Sequence, residues 1–201
     1  MPANARLPSY QQMYANTILA TDGYWNGGVP NTIGNMDSRV PALPAPISYN
    51  PVSGTALIPN DPFPPPFYEG RTANSNSLAD TAMKYWITDI GVRSGNGGTV
   101  GKIGATSTDP ATWQHMTTHT IGLGANGTLD YQPDYKTAAS GHYADIKNGS
   151  RNWPVPKENS AEAIDDLWHA AVNSHGSYFS AKNPKGLQDG LNSILAEGGT
   201  N

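Results

Sequence analysis

Three strand patterns alternate with three helix patterns along this chain of 201 residues, and that order admits few folds. Alternating apolar residues predict strands at residues 14–21, 117–123 and 177–181. Apolar residues at helical spacing predict helices at residues 78–88, 161–173 and 184–196. Because strands that alternate with helices usually form a parallel sheet with right-handed crossovers, the sequence predicts an α/β fold with helices on both faces of the sheet.

Local signals mark the ends of these helices. Ser77 and Asp80 have the spacing of a capping box before the first helix. Asn183 and Pro184 supply a cap and a first-turn proline for the last helix, and Gly176 stands where a glycine commonly ends a helix. These signals support the helix boundaries that the apolar spacing predicts.

Two long stretches interrupt the alternation. Residues 27–76 carry prolines throughout, and residues 125–158 are rich in Gly, Asn and Tyr. Proline is incompatible with regular helix and with central strands. We therefore predict one domain over residues 1–201, with insertions at about 27–76 and 125–158 that lie outside the sheet core.

Composition excludes several classes of function. The net charge is -4 and no long basic run is present, which argues against nucleic acid as a partner. The absence of cysteine excludes disulfides and thiolate chemistry. No apolar run approaches the ~20 residues that span a bilayer, so membrane insertion is not expected, and any export signal is expected to be removed or to lie upstream.

A sheet of three parallel strands poses a physical problem. Parallel sheets are stable when both faces are covered and their central strands have neighbours on each side. The strand at residues 14–21 would leave an unpaired edge. We therefore expect a missing partner half, supplied either upstream in the same polypeptide or by another chain.

Five ordered blocks across the chain resemble the type IV pilus tip-associated adhesin and biogenesis proteins of the PilC/PilY type. They are ILATDGYWN at residues 18–26, LADTAMKYW at 78–86, DPATWQHM at 109–116, TIGLG at 120–124 with GTL at 127–129, and IDDLWHAAVN at 164–173 with YFSA at 178–181. The resemblance implies the second half of a von Willebrand factor A-like domain. The implied fold is a partial doubly wound parallel sheet of the von Willebrand A/Rossmann-like kind.

The resemblance also implies a site. In von Willebrand A domains, a metal-ion-dependent adhesion site combines an Asp-x-Ser-x-Ser loop, a threonine and an aspartate after a later strand. Asp22 matches only that last aspartate, and the Asp-x-Ser-x-Ser loop is absent. We expect Mg²⁺ or Ca²⁺ in the complete domain and no cofactor in this chain alone, with Asp22 as a partial ligand and Trp25 as a partner contact. The alternative is that Asp22 bonds the backbone of its own turn.

The function implied by the resemblance is a non-enzymatic module at the pilus tip, which acts in pilus assembly and in adhesion to host or abiotic surfaces. Its expected partners are minor pilins and the missing half of the domain. The expected location is the bacterial cell surface, at the pilus tip or outer membrane. One alternative is a structural subunit of a filament or surface assembly. Another is an envelope hydrolase that uses Asp22, Asp165 or His169, for which the sequence shows no convergent nucleophile and base.

Other residues with chemical potential have simpler interpretations. His115 and His119 have the spacing of a zinc helix, but Met116 stands where its general base would be, so packing or surface histidines are expected. Residues 97–102 match a phosphate loop only in part and are interpreted as a flexible loop. Asp165 and Asp166 are expected to stabilise a helix start through the helix dipole.

Three tryptophans are expected to lie in the core, because Trp86, Trp113 and Trp168 all fall on predicted helical faces. The helical face of Trp113 belongs to a short turn that Asp109 and Pro110 predict through residue 113, with the aspartate as cap and the proline in the first helical position.

Overall fold

The structure is a computed structural model that describes residues 14–28, 32–38, 63–90 and 103–199, with side chains to residue 196. The segment at residues 97–102 and the proline-rich residues 39–62 lie outside the described residues. The interpretation of 97–102 as a flexible loop therefore stays a prediction.

Three parallel strands form one sheet. Strand β1 spans Ala15–Thr21, β2 spans Met116–Leu123 and β3 spans Tyr178–Ala181, in the order β1-β2-β3. In the β1–β2 pair Ala15 is opposite Met116, and in the β2–β3 pair Thr120 is opposite Tyr178. The predicted parallel arrangement is confirmed.

Four helices are present in the described residues. Helix α1 spans Leu78–Ile87, α2 spans His142–Lys147, α3 spans Glu162–Asn173 and α4 spans Pro184–Gly199. Helices α1, α3 and α4 confirm the three predicted helices. Helix α2 lies in the stretch 125–158 and was not predicted. None of the helices in the described residues is long and apolar enough to cross a membrane.

The helices cover both faces of the sheet. On one face, Thr120 Oγ1 of β2 donates to the backbone oxygen of Leu167 in α3 at 2.8 Å, and α1 packs beside α3. On the other face, Ile121 of β2 packs with Ala181 of β3 and Ile194 of α4. This alternation follows from the two-residue period of a strand, which points neighbouring side chains to opposite faces.

The helix ends follow the sequence signals with one correction. Ser77 Oγ accepts from Asp80 N, and the Asp80 carboxylate accepts from Ser77 N, so the capping box is confirmed. At the end of α3, however, the left-handed residue is His175 (φ 60), whereas glycine was expected there. Gly176 is needed for a different reason, because a Cβ atom on it would clash with the backbone oxygen of Thr118 in β2. A glycine is needed at this junction, as predicted, but the reason is the close approach to β2 and not a left-handed backbone.

The predicted helical turn at residues 109–113 is wrong, because these residues have irregular backbone. Asp109 Oδ1 accepts from Ala111 N at 3.0 Å and from Trp86 Nε1 at 3.2 Å, and Asp109 Oδ2 lies 2.8 Å from His115 Nε2. The carboxylate that was expected to cap a helix is used to hold α1 and the start of β2 together.

The two insertions contribute to the core, so the prediction that they lie outside it is wrong for their described parts. Phe63 and Phe67 from the first, and Tyr143 and Trp153 from the second, are buried in one cluster with Trp168 of α3. The physical reason is that regular elements alone leave the aromatic face of α3 uncovered. The predicted burial of Trp86, Trp113 and Trp168 is confirmed.

Candidate functional site

Strand β1 is the least covered part of the sheet. Among the described residues no strand pairs with its outer edge, and its only extensive packing is on β2. Ile18 and Leu19 point to opposite faces, and 42% and 37% of their surfaces are exposed. In soluble domains an edge strand is normally short, charged or covered. This apolar strand is exposed on both faces, as a central strand would be if its neighbours were removed.

An apolar groove runs along one side of β1. It lies between β1, the start of α1 and the start of α3, and has a volume of about 690 Å³. Its apolar lining includes Leu19, Trp25, Leu78, Pro156 and Leu167. The groove therefore continues the exposed face of β1 down to the helix layer.

Asp22 and Trp25 both lie where this groove meets the carboxyl end of β1. Asp22 is exposed, and its carboxylate accepts no hydrogen bond from the described residues. The hydroxyl of Thr21 makes the bonds of the turn instead, accepting from Gly23 N at 3.3 Å and donating to Gly23 O at 3.1 Å. Trp25 lines the groove, and its backbone oxygen accepts from Asn159 N at 3.0 Å.

A cation would find few ligands at this edge. Asp22 is sterically available as one oxygen ligand, but within the described part of the chain no three His, Asp or Glu side chains are arranged to hold a metal ion. Mg²⁺ and Ca²⁺ prefer six or more oxygen ligands. The described residues therefore offer a cation one carboxylate at this edge and no complete set of ligands.

Asp165 and Asp166 hold two different segments onto α3. Asp165 accepts from Thr128 N at 2.9 Å and from Leu129 N at 3.1 Å. Asp166 accepts from Leu78 N at 2.9 Å and from Ala79 N at 3.1 Å. These two N–H groups stand at the start of α1 and have no acceptor within their own helix. Asp165 lies in the first turn of α3, where the dipole role was expected, whereas Asp166 serves the start of α1 and not its own helix. Burial raises the pKa of Asp166 to about 7 despite these bonds.

His169 is buried inside the protein and not poised for catalysis. Its Nε2 atom donates to the backbone oxygen of Phe67 at 2.8 Å, and its ring stacks on Trp153. Burial lowers the pKa of His169 to about 3. Among the described residues, His169 lines neither the groove beside β1 nor the cavity that Asp165 lines. Asp165 and His169 are one turn apart on α3, but their side chains bond to different segments, and Asp22 is exposed at the end of β1.

His115 and His119 do not lie on a helix. His119 is in β2 and its Nδ1 accepts from Ser177 N at 3.1 Å, while His115 precedes the strand and bonds to Asp109. Both are buried. The zinc-helix geometry is absent, and the expectation of packing histidines is confirmed.

A buried acidic cluster was missed by the sequence analysis. The carboxyl groups of Asp37, Glu69, Asp80 and Asp166 are close enough to influence one another, and all four residues are buried. Asp37 and Glu69 belong to the stretch that was predicted to lie outside the core. Since they meet Asp166 across about a hundred residues of chain, no local pattern could have revealed the cluster.

The fold and the site together define a class: a parallel α/β unit with an exposed apolar edge strand and an adjoining apolar groove. Comparison with known proteins gives the family. The chain is 37% identical over 191 residues to type IV pilus biogenesis factor PilY1 of Pseudomonas aeruginosa strain UCBPP-PA14. The aligned region covers 89% of this chain and 15% of that protein. It is 35% identical over 205 residues to the PilY1 of strain PAK, and this alignment covers 96% of this chain and 16% of that protein.

The chain therefore has a PilY1-type sequence, and the resemblance to PilC/PilY-type proteins is confirmed. It spans only 15–16% of the length of these relatives. No family model and no solved structure matches the chain.

Proposed function

We propose that this chain is the second half of a von Willebrand A-like domain in a type IV pilus tip protein, with insertions at about 27–76 and 125–158. The observation that carries the proposal is the 35–37% identity to PilY1 biogenesis factors over 89–96% of the chain. The module acts in pilus assembly and in adhesion to host or abiotic surfaces, with minor pilins as partners. Its place is the bacterial cell surface, at the pilus tip or outer membrane.

A non-enzymatic role is supported by how the reactive side chains are used. Asp165 and Asp166 accept backbone hydrogen bonds, and His169 is buried with a strongly lowered pKa. General acid–base chemistry requires groups that reach a substrate and titrate near the working pH. Of the side chains considered for hydrolysis, Asp165 and His169 serve instead to hold segments of the fold together.

The missing half of the same domain is the partner that the open edge of β1 fits. A parallel strand added to that edge would pair the backbone groups of β1 that bond to no described strand, and a helix connected to it would fill the groove. Leu19 and Trp25 line this groove, and Ile18 faces the other side. The helix layers on both faces of the sheet would then extend beyond β1.

The docking surface can be tested with Leu19→Asp in this chain and in a longer polypeptide that includes the missing half. In this chain alone Leu19 is exposed, so we expect the melting temperature to change by no more than a few degrees. In the longer polypeptide the aspartate would be buried without a partner, and we expect a fall of about 10 °C or more, measured by calorimetry.

Tyr85→Asp is the matched control, since Tyr85 is 44% exposed on α1 and does not line the groove. Its effect should be small and equal in both polypeptides. An equally small effect of Leu19→Asp in both would show that the missing half docks elsewhere, while the family relationship would stand.

Asp22 is proposed as one ligand of a Mg²⁺ or Ca²⁺ site that the two halves share. Because one carboxylate offers too few oxygens, this chain alone is expected to bind either cation weakly, with no saturation in a calorimetric titration to millimolar concentration. The longer polypeptide should bind one cation, and Asp22→Ala should weaken that binding at least tenfold. Asp189→Ala, at an exposed aspartate in α4, is the control and should leave binding unchanged. Tight binding by this chain alone, or unaltered binding by the Asp22 variant, would remove Asp22 from the site.

A further inference from the structure

Residues 32–38, here called the strap, are fastened across α1 and α3 mainly by acidic side chains. Met36 N donates to Asp80 Oδ1 at 2.6 Å, and Asn35 Nδ2 donates to Glu69 Oε1 at 2.7 Å. The backbone of the strap also bonds to Asn76, whose Oδ1 accepts from Gly34 N at 2.8 Å. The strap thus depends on several acceptors that are most effective as carboxylates.

Asp37 differs from the rest of the strap, because it brings a further carboxyl group close to those of Glu69, Asp80 and Asp166. Its side chain is completely buried, and Oδ2 accepts from Asn173 Nδ2 at 2.9 Å. Asp37 Oδ2 also lies 3.5 Å from His169 Nε2, but that nitrogen donates to Phe67 O at 2.8 Å. Among the described residues, no lysine or arginine contacts the carboxyl groups around Asp37.

The groups that face Asp37 come from every element packed around it. Glu69 lies in the segment before α1, Asp80 lies in α1, and Asp166 and His169 lie in α3. A carboxylate at Asp37 would add negative charge to three acidic neighbours, while the neutral acid adds none. The neutral imidazole of His169 supplies no opposing charge.

We propose that the strap is a pH-released latch, which stays docked on α1 and α3 while the Asp37 carboxyl group carries a proton and detaches when mild alkali removes it. This inference concerns the strap alone and does not depend on the role proposed for the open edge of β1. Burial, followed by the charge of Glu69, raises the pKa of Asp37 from 3.8 to about 8. Between these two pH values the docked strap keeps a proton that the detached strap gives up, so rising pH favours detachment until about pH 8.

His169 does not reverse this trend in the range tested. Its pKa is lowered from 6.5 to about 3, so it opposes the trend mainly between those values, and its effect fades as the pH rises above 6.5. Asp166, with a pKa of about 7, also favours detachment as the pH rises, but its contribution levels off at a lower pH than that of Asp37. Burial raises the pKa of Glu69 as well, so the part of the change that belongs to Asp37 is identified by comparison with an Asp37→Asn variant.

The latch can be tested through the methyl group of Met36, which packs against the core cluster from within the strap. The chain has 5 methionines, so ¹³C-methyl labelling gives few signals, and Met36→Leu assigns the relevant one. Between pH 6.5 and 9 the Met36 signal should move towards the position of an exposed methionine, and the change should level off above about pH 8. The signal of Met83, which is fully buried in α1, should stay in place and show that the fold persists.

Asp37→Asn keeps the shape of the side chain and cannot ionise, so the pH-dependent change of its Met36 signal should be much smaller and limited to the part that Asp166 and Glu69 contribute. A Met36 signal that does not move in the wild-type chain, or that moves equally in the Asp37→Asn variant, would overturn the latch. If the variant does not fold, ¹³C-carboxyl spectra of the wild-type chain decide the question, because a buried aspartate titrating near pH 4 contradicts the proposal.

Discussion

Trp168→Ala is expected to lower the free energy of unfolding by about 3–5 kcal/mol, which is enough to unfold a marginally stable chain. Trp168 is the centre of the aromatic core, with ring centroids 5.0 Å from Tyr135, 5.3 Å from Tyr178 and 5.6 Å from Tyr143. Its Nε1 atom has no hydrogen-bond partner among the described residues, so the loss is one of packing and not of a polar bond. Urea denaturation followed by circular dichroism measures it.

Two further variants separate packing from general effects of losing a tryptophan. Trp168→Phe keeps an aromatic ring and should cost less than half as much, since no bond to the indole nitrogen is lost. Trp25→Ala removes a partly exposed ring and should cost below about 1 kcal/mol in this chain alone. Equal losses for Trp168→Ala and Trp25→Ala would mean that the aromatic cluster does not form the core.

Gly176→Ala is expected to destabilise the chain by about 1–3 kcal/mol or more, although it adds a single methyl group. The added Cβ atom would collide with the backbone oxygen of Thr118. That backbone belongs to β2, which pairs with strands on both sides and cannot shift without disturbing the sheet. The melting temperature, measured by calorimetry, should fall by several degrees.

Gly104→Ala is the matched control, because nothing lies within 4 Å of the position where its Cβ atom would be. This exposed change should be nearly neutral. Should Gly176→Ala be equally neutral, the close approach of the α3–β3 junction to β2 would be wrong.

The regular elements could be predicted because each carries its own pattern. Helix α3 buries an apolar face that is visible at helical spacing in the sequence, and β2 lies within one residue of its predicted bounds. The capping box at Ser77 and the cap at Asn183 are local motifs, and both form the expected bonds. Local chemistry determined these features, so local sequence analysis recovered them.

Features that depend on distant partners were not predicted. Asp109 and Pro110 have the pattern of a helix start, yet Trp86 and His115 bond to the Asp109 side chain and the backbone stays irregular. Phe67 and Trp153 stand in stretches rich in glycine and proline without periodicity, and they are buried because α3 offers an aromatic surface to cover. In both cases tertiary contacts outweighed the local signal.

The position of the candidate residues could be predicted, because Asp22 and Trp25 directly follow a strand pattern and lie at the carboxyl end of β1 beside the groove. The partner contact of Trp25 stays a prediction. The metal role of Asp22 stays a prediction. Asp37 had no signal, because its neighbours Asp80 and Asp166 come from two other parts of the chain and only the fold brings them together.

The bond between Asp166 and the start of α1 affects the order in which the chain can fold during synthesis. Leu78 and the aspartate that accepts from its amide are 88 residues apart. At about 5–20 residues per second, a ribosome needs about 4–18 s to cover that distance. During that interval Ser77 and Asp80 alone can hold the amino end of α1. The capping box is therefore the part of this helix start that local sequence alone can form before α3 emerges and takes up its position beside α1.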